Sequence, residues 1–271
     1  MSKWLKVTFF TVLLIGTGYL FGRVCIQVNS AYELIFLPSK ELLNLLLKFL
    51  LAVGASMLAS GLVAVLIRPL WIGYIAFTFS GISLLLSWQV SVATSILVLI
   101  YILSGIVYAT GVARDLNERI CFSIRSVGVG QSMLSMSLAL IACGSLYLGY
   151  EEHINQTGFS IPEPFMDLFI GQIETQFEMG APEEDSTEAL TELKEDLKQR
   201  VEDMIYQKLE PYEEFIPLGV AAGVFMSLVT ILGILMFFSN VILGLIFSFL
   251  KAVGFVRIVS KTQEIQSLVI E

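Results

Sequence analysis

Charged residues are scarce in this chain. Lys, Arg, Asp and Glu together make up 15% of its 271 residues, whereas apolar residues make up 56%, and the mean hydropathy is +0.80. A soluble domain is about a quarter charged, because water must wet its surface. The composition therefore excludes a soluble globule and indicates a fold in which lipid covers much of the surface.

The residue types that most enzymes and metal sites use are also few. The chain has one histidine, His153, which cannot supply an H-E-x-x-H zinc motif. Its three cysteines, Cys25, Cys121 and Cys143, are scattered, and none lies in the acidic segment where a disulfide would be expected. No glycine-rich phosphate loop followed by lysine occurs. We expect no enzyme activity, no metal, no other cofactor and no nucleic-acid partner.

Long apolar runs dominate the sequence instead. A helix needs about 20 mostly apolar residues to cross a hydrocarbon core about 30 Å thick, and backbone groups in lipid must bond within their own segment. Six runs meet this requirement: Val7–Gly22, Leu42–Ile67, Leu70–Trp88, Val92–Val112, Gln131–Tyr150 and Ile216–Phe238. The sequence predicts an all-α, polytopic transmembrane helix bundle of about six spans.

The region after Ser239-Asn240 leaves two alternatives open. Residues 241–249 are apolar, but Lys251, Gly254 and Arg257 interrupt the run. Residues 241–258 therefore form either a seventh span or a helix that bends at Ser239-Asn240 and lies in the membrane interface. We favour the interfacial helix, because a seventh span would carry Arg257 to the side that holds the acidic segment.

The charges divide sharply along the chain. Between Glu151 and Glu214 there are 18 acidic and 4 basic residues, a net charge of −14, whereas the rest of the chain carries +6. Short loops rich in Lys and Arg stay in the cytoplasm. With six spans, this rule places the N-terminus inside and residues 151–214 outside, and we expect the plasma membrane as the location.

The acidic segment contains two predicted helices. The sequence Ser160-Ile161-Pro162-Glu163 is typical of a capping box, and Asp185-Ser186-Thr187-Glu188 of a second helix start. We expect an extracytoplasmic helical hairpin that packs on itself or on the spans, or that binds a protein partner or a second copy through residues 160–210. The candidate partner-binding face is the apolar stripe of the second helix: Leu190, Leu193, Leu197, Val201 and Met204.

Inside the predicted spans, the clearest pattern is small residues at four-residue spacing. Such stripes let helix backbones approach closely in lipid, although they can also line a narrow pore. The predicted helix-packing residues are Ala52, Ser56, Ser60 and Ala64 in the second span and Gly219, Gly223 and Ser227 in the sixth. Gly18 and Gly22 repeat the pattern in the first span, and leucine at Ser60 or Gly223 should lower bundle stability.

Lys48 is the one charged residue within the six predicted runs, which contain no Asp or Glu. An intramembrane charge is costly, so Lys48 should extend its ammonium to the interface; contact with an anionic lipid or another anion is the alternative. The missing carboxylates argue against a proton relay.

These observations divide the chain into residues 1–150 with five spans, residues 151–214 outside, and residues 215–271 with the sixth span and tail. The function predicted from them is a non-enzymatic membrane scaffold or interaction protein. The alternative is a passive channel or small-solute transporter, whose path Ser and Thr side chains would line.

Overall fold

The computed structural model describes residues 3–30, 39–118, 125–157 and 215–256, and all regular structure within them is helical. The helices are α1 Lys3–Ser30, α2 Lys40–Leu66, α3 Leu70–Ser87, α4 Val92–Glu118, α5 Arg125–Val129, α6 Gln131–Thr157 and α7 Ile216–Ala252. All of these except α5 are long and apolar enough to cross a membrane. The predicted six-span helical bundle is confirmed. The predicted hairpin within residues 158–214 lies outside the described residues.

The helix starts follow from local capping chemistry. Ser39 accepts a hydrogen bond from the Leu42 amide at 3.1 Å, which caps α2. At α4, the Ser91 amide donates to Thr94 Oγ1 at 2.8 Å and the Thr94 amide donates to Ser91 Oγ at 3.1 Å. This reciprocal pair satisfies amides that would otherwise lack a partner in the first turn of α4.

Contacts between named residues show that successive spans alternate in direction. Gly18 of α1 lies against Ser80 of α3 and Gly22 lies against Leu84, so α1 and α3 run the same way. Tyr74 of α3 is hydrogen-bonded to Thr110 of α4, and Gly81, further along α3, lies against Ile102, which comes earlier in α4. Helices α3 and α4 are therefore antiparallel. We call the end of the bundle where α1 begins the proximal end and the end where α6 finishes the distal end.

Hydrogen bonds join helices inside the bundle. The Ser80 hydroxyl of α3 donates to the Leu14 carbonyl of α1 at 3.1 Å and lies 3.1 Å from the Tyr101 hydroxyl of α4. The Ser145 hydroxyl of α6 donates to the Cys25 carbonyl of α1 at 2.6 Å. Helix α1 is therefore hydrogen-bonded to both α3 and α6.

Helix α7 differs from both arrangements predicted for the end of the chain. It runs without a break from Ile216 to Ala252, through Ser239 and Asn240. Residues Leu235, Ser239 and Leu243 lie against Gly54, Met57 and Gly61 in the same order, so α7 runs parallel to α2 at matching depth. Residues 241–249 thus form the proximal part of the sixth span, because the packing of α7 against α2 continues past Ser239 and Asn240.

The end of α7 returns the chain towards α1. Gly254 has φ +72°, a left-handed conformation that favours glycine, and the Phe255 amide donates back to the Leu250 carbonyl at 2.9 Å. Phe255 then meets Lys6, whose ammonium donates to its carbonyl at 2.7 Å and lies 4.1 Å from the centre of its ring. The two ends of the described chain are therefore joined at the proximal end of the bundle.

The outer surface of the bundle is apolar. Large side chains on α3, α4 and α7 are widely exposed, among them Leu86 at 73%, Met226 at 70% and Phe237 at 67%. Such a surface is stable against lipid chains and not against water. Together with the six long helices, it identifies an integral membrane protein.

Candidate functional site

The structure places the two predicted small-residue stripes in opposite environments. Ala52, Ser56, Ser60 and Ala64 of α2 are all at most 8% exposed, so their face of the helix points into the bundle. Gly219, Gly223 and Ser227 of α7 lie on an exposed face, and a Cβ at Gly219 or Gly223 would meet no atom within 4 Å. The described residues do not bring the two stripes together, and the packing role of each stays a prediction.

The pair in the first span does permit a close backbone approach. A Cβ at Gly18 would lie 2.6 Å from the Ser80 carbonyl oxygen, and one at Gly22 would lie 2.6 Å from the Leu84 carbonyl oxygen. Real Cβ atoms do not approach backbone oxygens so closely, so only glycine fits at these two positions. The expected close packing of α1 is confirmed, and its partner is α3.

Lys48 lies on the exposed face of α2 near the distal end of α1. Its ammonium is 3.5 Å from the Gln27 side-chain oxygen, and Gln27 is three residues before the last residue of α1. The contact places the charge towards the membrane boundary, as an extended lysine side chain would. Contact with a lipid or another anion stays a prediction.

A cleft of about 290 Å³ opens at the distal end. Gln89 and Ser91 of the α3–α4 connection line one side, and Leu148, Glu151, Glu152 and Gln156 of α6 line the other. It lies next to Thr157, the last described residue before the acidic segment. Among the described residues, no group of three His, Cys, Asp or Glu side chains is arranged to hold a metal ion.

The candidate partner-binding face lies outside the described residues, but the structure describes the two helices that flank the acidic segment in the chain. Helix α6 ends at Thr157 and α7 starts at Ile216, and the two helices pack against each other. The predicted hairpin is therefore carried at both ends by neighbouring helices of one bundle.

Sequence reasoning missed a buried polar region in the proximal half of the bundle. The short helix α5 is packed against α2, α4, α6 and α7, and its Ser126 and Val127 are 0% exposed. The helical conformation is then interrupted for one residue, at Gly130, before α6 begins. The two glycines of this stretch, Gly128 and Gly130, are typical of a helix interruption, but the burial of α5 among four spans was not predicted.

Six polar side chains on α5 and on the helices packed against it form a set that we call the polar junction. They are Ser56 and Ser60 of α2, Tyr108 of α4, Ser126 of α5, Gln131 of α6 and Asn240 of α7. Each has at least one buried oxygen without a hydrogen-bond partner in the described part of the chain, and Gln131 has both its amide nitrogen and its oxygen in that state. The available signal was a pair of amide residues next to apolar runs: Gln131 begins the fifth run and Asn240 follows the sixth.

At the proximal end, the side chain of Arg68 caps the C-terminus of α2. Its guanidinium donates to the carbonyls of Ala64 at 3.2 Å and Ile67 at 3.1 Å, which are the groups a helix C-terminus leaves unbonded. Partial burial lowers the pKa of Arg68 from its ordinary value, and the neighbouring Tyr74 acts in the opposite sense. An arginine nonetheless keeps its charge at physiological pH.

Comparisons of the chain with protein-family models, with curated proteins and with solved structures found no match.

Proposed function

We propose that this protein is a non-enzymatic membrane scaffold that presents the acidic segment, residues 151–214, to a protein partner or to a second copy of itself. The observation that carries the proposal is the attachment of both ends of that segment to α6 and α7, which pack against each other. A segment held at both ends has less conformational freedom to lose when it binds.

The same proposal includes an orientation and a location. Lys6, Arg68 and Lys251 lie at or near the proximal end, whereas Glu151 and Glu152 lie at the distal end. Basic residues beside short loops favour the cytoplasmic side. This distribution supports a cytoplasmic N-terminus and an extracytoplasmic acidic segment, and the plasma membrane remains the proposed location.

A photocrosslinking amino acid at Glu195, beside the candidate partner-binding face, tests the scaffold on intact cells. We expect a discrete crosslinked product, either with one protein or with a second copy, that is lost when Leu193 and Leu197 are changed to Asp. The same crosslinker at Met226, an exposed position in the apolar surface of α7, is the control. Absence of any product specific to position 195 would contradict the proposal.

A second candidate function is a passive path for small uncharged solutes. The polar junction favours it, because unpaired hydroxyl and amide groups within a membrane bundle are typical of solute or water paths. Purified protein in liposomes should then pass water or a small polyol faster than protein-free vesicles do. Equal permeability of the two kinds of vesicle would rule this candidate out.

A further inference from the structure

We propose that the polar junction binds an uncharged, hydrogen-bonding molecule inside the membrane, either water or a small polyol. Such a site goes beyond the display of the acidic segment and does not depend on it. The junction lies within the apolar length of the spans. Ser60 lies six residues before the end of α2, and Tyr108 lies four residues before Val112, where the apolar run of α4 ends. At 1.5 Å per residue these distances are about 9 and about 6 Å.

Several contacts bring the members of the junction to one place. A Cβ at Gly61, next to Ser60, would lie 3.3 Å from Val127, the neighbour of Ser126. One at Gly128 would lie 3.0 Å from the Asn240 amide nitrogen, and one at Gly130 would lie 2.8 Å from the Tyr108 ring. Residues 126–131 therefore lie beside Ser60, Tyr108 and Asn240, and these polar groups belong to one region of the bundle. Ser56 is one helical turn from Ser60 on the same buried face of α2.

Five of the six members are buried too deeply for bulk solvent to satisfy them; Asn240 is part-buried, but its side-chain oxygen is buried. Ser60, Ser126 and Gln131 are 0% exposed, and Ser56 and Tyr108 are 1% exposed. Lipid offers no hydrogen-bonding groups either, so a buried hydroxyl or amide without a partner is unfavourable. Buried polar groups in proteins are nearly always bonded, and ordered water supplies the bond where the chain does not.

The chemistry of the groups selects the bound molecule. The side chains offer hydroxyls, which both donate and accept, together with the Gln131 amide, whose nitrogen only donates and whose oxygen only accepts. A cation could use the oxygens but would leave the amide nitrogen of Gln131 unpaired. No member of the junction carries a charge, so an ion would also lack a counter-charge. A neutral molecule that both donates and accepts matches the whole set.

The backbone around the junction supports a bound molecule as well. Helix α5 and the break at Gly130 place irregular backbone among four spans. Irregular backbone at membrane depth is stable only where protein buries it or where it lines a hydrated cavity.

Magnetisation transfer in solid-state NMR tests the site directly on the full chain in lipid bilayers. At short mixing times we expect transfer from water to the side-chain amide of Gln131. The backbone amide of Leu134, which is 0% exposed one turn further along α6, serves as the dry control and should receive none. Adding glycerol distinguishes the two sources, because a site for polyols would replace transfer from water by transfer from glycerol. Transfer from neither molecule would overturn the proposal.

The direction in which Tm changes in variants of the polar junction gives a second test. If a bound molecule satisfies the junction, Gln131→Leu and the milder Ser60→Ala each remove hydrogen bonds and should lower Tm. If the junction is dry, the same changes remove an unpaired polar group and should raise Tm. Gln156→Leu, at an exposed position of α6, is the matched control and should leave Tm unchanged. A rise in Tm for both junction variants would contradict the site.

Discussion

Ser60 and Gly223 show how the same spacing of small residues leads to different environments. Ser60 is fully buried among the helices around α2, whereas a Cβ at Gly223 would meet open space. Forcing a larger side chain into a packed interior costs about 1–3 kcal/mol. We expect Ser60→Leu to lower the free energy of unfolding in detergent by that amount. Gly223→Leu should change it by less than about 0.5 kcal/mol, as exposed substitutions do.

That expectation differs from the sequence-based prediction, which assigned a loss of stability to leucine at both positions, and the measurement decides between them. Unfolding by a denaturing detergent, followed by circular dichroism, measures the two variants side by side. Equal losses for both would show that the α7 stripe packs against something other than lipid.

Ser80 is the side chain that links three helices. Its hydroxyl bonds the Leu14 carbonyl and lies within hydrogen-bond distance of the Tyr101 hydroxyl, and it is 0% exposed. A hydrogen bond between transmembrane helices contributes about 1 kcal/mol. Ser80→Ala should therefore lower the free energy of unfolding by about 1–2 kcal/mol. Thr230→Ala, which removes only a bond to Met226 of its own helix, is the control and should have little effect.

At the scale of elements, the α1–α3 interface depends on glycine at one position and not at another. A Cβ at Gly22 would meet the Ser87 hydroxyl and the Leu84 carbonyl, and the carbonyl belongs to helix backbone that cannot turn aside. Gly16, two turns earlier in α1, has nothing within 4 Å of its Cβ position. Gly22→Ala should destabilise the protein, whereas Gly16→Ala should be neutral or stabilise it by up to about 1 kcal/mol through helix propensity. Thermal unfolding of both variants checks the pair, and destabilisation by Gly16→Ala alone would contradict the interface.

The continuity of α7 is measurable as a distance. Met226 and Phe249 are exposed positions 23 residues apart on the helix, so their backbones should be about 35 Å apart at 1.5 Å per residue. Spin labels at Met226→Cys and Phe249→Cys, with the native cysteines replaced, would report this separation by double electron–electron resonance. A bend at Ser239-Asn240 would bring the labels closer, and a separation well below 35 Å would contradict the continuous helix.

At the scale of the whole molecule, the sequence predicts well the features that a lipid environment determines, namely the number of spans and their helical conformation. Apolar runs of sufficient length must be helical in a bilayer, and the six helices overlap the six predicted runs. Their order and alternation follow from the short connections. The close approach of α1 at Gly18 and Gly22 was predictable too, because few other features of a lipid-embedded helix require glycine.

The rest depends on which helix faces which, and one sequence does not specify this. The stripes in α2 and α7 both consist of small residues at four-residue spacing, yet only the first faces the interior of the bundle. Asn240 suggested a break, because a polar amide is unfavourable against lipid. Its neighbours Ser239 and Leu243 instead lie against α2, and that packing keeps the helix continuous. The polar junction combines residues from five helices, so no local pattern could predict it.

Labelling of single cysteines in sealed cells tests the central claim, a six-span bundle with its acidic segment outside, most directly. Gln156, at the distal end of α6, and Asn117, at the proximal end of α4, are both exposed and suit a membrane-impermeant maleimide. With the native cysteines replaced, Gln156→Cys should be labelled on intact cells, and Asn117→Cys only after the membrane is permeabilised. Labelling of Asn117→Cys on intact cells, or protection of Gln156→Cys there, would contradict the arrangement.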